Sequence, residues 1–117
     1  MQKKVKLSIV NKALRDKKRY IVITLLNSSN SKLPILNKEE LYRQIERNFE
    51  NIFGIIKASS ANILVMDAKD NNILIRVNKN NLEELISSLF FLRLNINNSV
   101  SIIKFKSISS TMDSAGF

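Results

Sequence analysis

At 117 residues, with neither cysteine nor histidine, the chain suits one domain with its own core and has no disulfide, thiolate nucleophile, imidazole base or ordinary zinc site. Its formal charge of +9 points to polyanionic partners, nucleic acid first among them. No apolar stretch approaches the roughly 20 residues of a membrane-spanning helix and no secretory leader is legible, so a cytoplasmic protein without membrane contact is expected.

The chain opens on a basic arm over residues 1–19, where Lys3, Lys4, Lys6, Lys12, Arg15, Lys17, Lys18 and Arg19 face a single acid, Asp16. Charge blocks of this kind serve as interaction tails. A domain over 20–107 and a C-terminal tail over 108–117 are expected to follow. From Tyr20 the run Ile21-Val22-Ile23-Thr24-Leu25-Leu26 reads as a strand buried on both faces. Asn37 and Glu40 form a capping box, and Leu41, Ile45, Phe49, Ile52 and Phe53 then recur at helical spacing until Gly54. Two short strands, Ile63–Asp67 and Ile73–Val77, flank Ala68–Asn72, which has the composition of a hairpin loop. A second capping box, Asn80 with Glu83, precedes Leu82, Leu85, Ile86, Leu89 and Phe90, so a second helix is expected to about Arg93. A last strand is expected over Val100–Lys106.

The order β-α-β-β-α-β predicts an α+β, ferredoxin-like (RRM-like) sandwich, with two helices on one face of a four-stranded antiparallel sheet. Strand alternation sends Ile21, Ile23, Leu25, Ile63, Val65, Ile73, Ile75, Val77, Ile103 and Phe105 toward the helices. The other face then carries Tyr20, Val22, Thr24, Leu64, Met66, Leu74, Arg76, Ile102 and Lys104, too apolar a set to face water. Either the protein's own arm or tail covers it, or a partner subunit does. For the second case the candidate protein interface is Tyr20, Val22, Leu64, Met66 and Leu74. An RNA recognition motif would place aromatic residues in the third strand. That strand has none here, and Tyr20 is the one ring expected on the open face, so contact is expected with phosphates and shape rather than with stacked bases.

The candidate RNA-binding residues are Lys12, Arg15, Lys17, Lys18 and Arg19, where cations cluster at the start of a buried strand, and Arg76, in mid-strand opposite Leu64. The plain alternatives are a solvated arm and an arginine that snorkels or pairs with an acid. The paired acids Glu39-Glu40 and Glu83-Glu84 fall in first helical turns, where they complement the macrodipole. No base, metal cluster or phosphate loop accompanies them, so the chain is expected to hold no catalytic site and to bind no cofactor.

The segment Leu14-Arg15-Asp16-Lys17-Lys18-Arg19-Tyr20, followed by a buried strand, resembles the opening of the protein component 2 family of archaeal and eukaryal ribonuclease P. The likeness continues through Phe53-Gly54 with Ala58, Ile73-Leu74-Ile75-Arg76-Val77 and Ile108-Ser109-Ser110-Thr111, covering about residues 13–112. One position departs from it: Ser110 stands where the family has glycine. The resemblance implies a non-catalytic, RNA-binding subunit of the endoribonuclease that removes the 5′ leader of precursor tRNA. It implies that the RNA component carries the active site and uses magnesium, and that the chain contacts precursor tRNA only indirectly. Its partners would be the ribonuclease P RNA, protein component 3 and other protein subunits, with two copies of components 2 and 3 able to associate. Two other classes share parts of this pattern. A ribosome- or otherwise RNA-associated ferredoxin-like protein would keep both arm and fold, whereas a small regulatory or ligand-binding domain would not need the arm.

Overall fold

The structure is a computed structural model that describes residues 17–27, 37–96 and 99–117. Its elements are β1 (Lys18–Asn27), α1 (Lys38–Phe53), α2 (Ile55–Ala61), β2 (Leu64–Lys69), β3 (Asn72–Asn78), α3 (Leu82–Phe91), β4 (Leu94–Ile96) and β5 (Ser99–Ser109). Short 3-10 turns occupy Lys79–Asn81 and Asp113–Ala115. Every strand pair is antiparallel, in the order β2-β3-β1-β5-β4. The long apolar strand β1 is central and covered on both faces, which is why its sequence lacks alternation: Ile21, Val22, Ile23 and Leu25 are all closed to solvent.

The helices lie on one face of this sheet. Leu41, Ile45 and Phe49 of α1, Ala58 and Ala61 of α2, and Leu85 and Leu89 of α3 meet Ile21, Ile23, Leu25, Ile63, Ile73, Ile75 and Val77, with Val65, Ile103 and Phe105 at the margin. The core-facing set expected from alternation is therefore the one observed. Ile52 and Phe90 depart from the expected helix stripes. They are 45% and 71% exposed, and the Phe90 ring leans on Phe105 at 5.2 Å between centroids.

Five strands and three α-helices among the described residues replace the expected four and two. The added strand β4 has three residues, too few to show a period. It forms because Leu94 is buried and because Gln44 of α1 stands in for a neighbouring strand. The Gln44 side chain donates to the Asn95 carbonyl at 2.9 Å and accepts from the Asn95 N–H at 2.9 Å, satisfying an edge that would otherwise stay open. The α3 helix accordingly stops at Phe91 instead of Arg93. The extra helix α2 begins directly after Gly54, whose φ of +95° suits a residue without a side chain. Its seven residues bury only two alanines, which leave no legible apolar stripe.

Asn37 caps α1 as its sequence implies, its side chain accepting from the Glu39 and Glu40 N–H groups at 2.9 and 3.3 Å. The second capping box does not form. Residues 79–81 make a 3-10 turn, and the Asn81 side chain donates to Glu84 Oε1 at 2.9 Å. The hairpin loop is also shorter than expected. Only Asp70 and Asn71 turn the chain, both with positive φ (52° and 66°), the conformation of a two-residue type I′ connection.

Two bulges set which side chains reach which face. Between Val65 and Asp67 the register slips by one residue, so that Ala68 rather than Asp67 turns toward the core. In β5, Phe105 pairs with Ile23 but Ser107 pairs with Val22. Lys106 is the extra residue, and the strand continues past its expected end to Ser109. Ser110 has no left-handed φ, so its Cβ strains no backbone.

Candidate nucleic-acid interface

The basic start of β1 is held against the far end of β3. Lys18 pairs with Asn78 and Arg19 with Val77 in the ladder, so both cations assigned to the arm belong to the sheet. The Lys18 ammonium donates to Asn78 Oδ1, and the Arg19 guanidinium donates to the Lys18 carbonyl at 2.8 Å. Lys17 is exposed, and its carbonyl accepts from the Lys79 N–H at 3.1 Å. Lys12 and Arg15 lie outside the described residues.

Asn78 is the hub of this corner. Its oxygen takes the Lys18 ammonium while its nitrogen donates to the Ser60 carbonyl at 2.6 Å. The end of α2, the start of β1 and the end of β3 are thereby tied together. Lys79 and Asn78 were not among the residues singled out from sequence. The polar run Asn78-Lys79-Asn80-Asn81 between a strand and a helix was visible, but its nearness to Lys17 depends on the β1–β3 register.

Arg76 stands in mid-sheet between Tyr20 on β1 and Leu64 on β2, opposite Leu64 as the hairpin pattern implied. It is half-buried, and its Nε is closed to solvent with no hydrogen-bond partner among the described residues. The ladder sets it one pair beyond Arg19–Val77, on the same face as the Lys18–Asn78 pair.

The second face of the sheet is covered at its centre by the C-terminal tail. Val22 and Leu74 are 0% and 2% exposed under Ala115, with Tyr20, Met66 and Phe117 packed around them. Of the three occupants that the sequence allows, the arm, the tail and a partner subunit, the tail fills this central position. Val22 and Leu74 consequently cannot meet a partner while the tail is in place, whereas Leu64, at 37% exposed, and Ile102, at 54%, remain open. The Tyr20 side chain is half-buried against the same cluster.

Among the acids, Glu84 binds the Lys57 ammonium at 2.5 Å, and this bond holds its carboxyl below the usual glutamate range. No group of three metal-ligating side chains occurs among the described residues. No helix among them is long and apolar enough to cross a membrane.

The family model for Rpp14/Pop5 proteins matches residues 19–116. The chain belongs to the Rpp14/Pop5 family. Rpp14/Pop5 proteins are subunits of the ribonuclease P and MRP ribonucleoproteins. This member is an RNA-binding protein subunit that works with an RNA component and other proteins, and the RNA performs the catalysis. The family match reaches Gly116, so the tail that covers Val22 and Leu74 is part of the Rpp14/Pop5 domain. Among solved structures, a chain in the cryo-EM structure of yeast ribonuclease MRP is similar over 82% of this chain and 76% of its own, at 12% identity and a TM-score of 0.64. A RAMP protein that binds different RNA substrates is similar over 81% of this chain and 48% of its own, at 12% identity and a TM-score of 0.50. At those identities the likeness is one of fold. No curated protein matches the sequence significantly.

Proposed function

We propose that this Rpp14/Pop5 protein is the component 2 type subunit of ribonuclease P and assists the RNA component in removing the 5′ leader of precursor tRNA. The observation that carries this reading is the coincidence of the family match over 19–116 with a basic strand start locked to the β3 end. An RNA active site crowds phosphates together, and cations fixed on a folded surface offset part of their repulsion, work that free magnesium must otherwise do. Lys17, Lys18 and Arg19 supply the fixed cations, and Lys12 and Arg15 extend them along the chain. Magnesium is used by the RNA component, and precursor tRNA meets this subunit only indirectly. Component 3 is the direct protein partner, consistent with the apolar margin at Leu64 that the tail leaves open.

The test is reconstitution of precursor tRNA cleavage from the RNA component, component 3 and this chain. Adding the chain is expected to lower the magnesium requirement. Changing Arg15, Lys17, Lys18 and Arg19 together to Gln should raise it again without moving the cleavage position. Cleavage by the purified chain in the absence of RNA would refute the reading, as would a magnesium requirement indifferent to its presence.

A further inference from the structure

The corner where Lys17 leads into β1 contains a cleft of about 290 Å³, walled by Lys17, Ser60, Asn78, Lys79, Asn80 and Asn81. Among the described residues, two cations and three carboxamide side chains line it and no carboxylate does. Lys57 is engaged by Glu84, but neither Lys17 nor Lys79 has an acidic partner among the described residues. The two lysines stand 62 positions apart in sequence, yet the Lys79 N–H to Lys17 carbonyl bond of 3.1 Å holds their backbones side by side. Asn78 braces the wall by bonding both Lys18 and the Ser60 carbonyl.

Positive charge with no neutralising acid in the lining among the described residues favours an anion, and the Asn80 carboxamide adds a donor for its oxygens, those of Asn78 and Asn81 already donating to Ser60 and Glu84. Among the described residues no aromatic ring lines the cleft, which favours contact with phosphate over base stacking. Lysine ammonium groups act on phosphate as point charges and do not demand the planar, two-pronged geometry of arginine. The volume admits a phosphate with part of an attached sugar.

We propose that this cleft is a subsite for one phosphodiester of the bound RNA, with Lys17 and Lys79 on its non-bridging oxygens. Lys79, from the turn after β3, is then as much an RNA-binding residue as the cations of the arm. Its role is to make the first phosphate beyond the arm sit at one place on the fold. The identity of the RNA rests on the ribonuclease P reading; the phosphate chemistry rests on the cleft alone.

The experiment uses the full chain, its Lys79→Gln variant and Lys38→Gln, an exposed lysine that does not line the cleft. Affinity for the ribonuclease P RNA component is measured against salt, and the Asn80 and Asn81 amide resonances are followed by NMR on addition of oligouridylate or inorganic phosphate. Losing one phosphate contact should flatten the log–log salt slope by about 0.7 to 0.9 in Lys79→Gln and leave Lys38→Gln unchanged. Oligouridylate should shift the Asn80 and Asn81 resonances. If the wild type binds the RNA component but Lys79→Gln keeps its slope and the amides stay still, the cleft proposal falls and the ribonuclease P reading stands. If oligouridylate shifts the amides but the RNA component is not bound, the reading falls and the phosphate subsite stands. A response to inorganic phosphate with none to oligouridylate would overturn the subsite in favour of a free-phosphate site.

Discussion

The Ser107 hydroxyl donates to the Ala115 carbonyl and pins the C-terminal tail across the sheet, directly over the Val22 and Leu74 pair. The contact depends on the bulge at Lys106, which turns Ser107 onto the same face as Val22. The tail is thus part of the core, although its residues alone read as a polar terminus. Deleting residues 111–117 should uncover two apolar side chains and lower stability by about 2 kcal/mol. Urea unfolding of the truncated and full-length proteins measures this, and equal midpoints would show that the tail contributes nothing.

Substitution on the same face separates its covered centre from its open margin. Leu74→Glu places a carboxylate beneath Ala115 in an apolar cluster and should cost about 1 kcal/mol or more. Leu64→Glu, on a side chain already 37% exposed, should leave the fold intact. If the margin meets component 3, sedimentation of the Leu64→Glu protein with component 3 will show weakened association. Unchanged association in that folded variant would move the interface elsewhere.

The arm is best removed at residue 16, because Lys18 and Arg19 carry ladder pairs with Asn78 and Val77. Loss of Lys3, Lys4, Lys6, Lys12 and Arg15 should flatten the salt dependence of RNA binding by about 0.7 to 0.9 for each phosphate contact removed. A truncated protein with the full-length slope would assign the RNA affinity to the folded domain alone.

Tyr42 donates to the Glu46 carboxylate one turn along α1, and that bond raises the phenol from its ordinary 10.0 to about 12. The folded state favours the protonated phenol, so the stabilisation is fully present below pH 10 and is lost as pH rises through about 12. The stability difference between wild type and Tyr42→Phe should therefore hold constant up to pH 10 and shrink above it. A difference that does not vary with pH across that range would show that the bond does not form in solution.

Local pattern alone determined the elements that carry many apolar residues in a regular period. Leu41, Ile45 and Phe49 marked α1, Asn37 marked its start and Gly54 its end, because helical spacing and capping are properties of neighbouring residues. Strand alternation likewise assigned Ile21, Ile23, Ile73, Ile75 and Val77 to the core, and the concentration of Lys17, Lys18 and Arg19 marked the basic corner. What depends on distant partners was decided only by the tertiary structure. Strand β4 exists because Gln44, fifty-one positions away, completes its hydrogen bonds. The bulges at Met66 and Lys106 exist because Asp67 and Ser107 belong outside the core, and a one-residue shift cannot be seen until the opposing strand is in place. Lys79 joins Lys17 for the same reason: antiparallel pairing of β1 with β3 brings two ordinary surface lysines to one cleft, and nothing in either residue's own neighbourhood records the other.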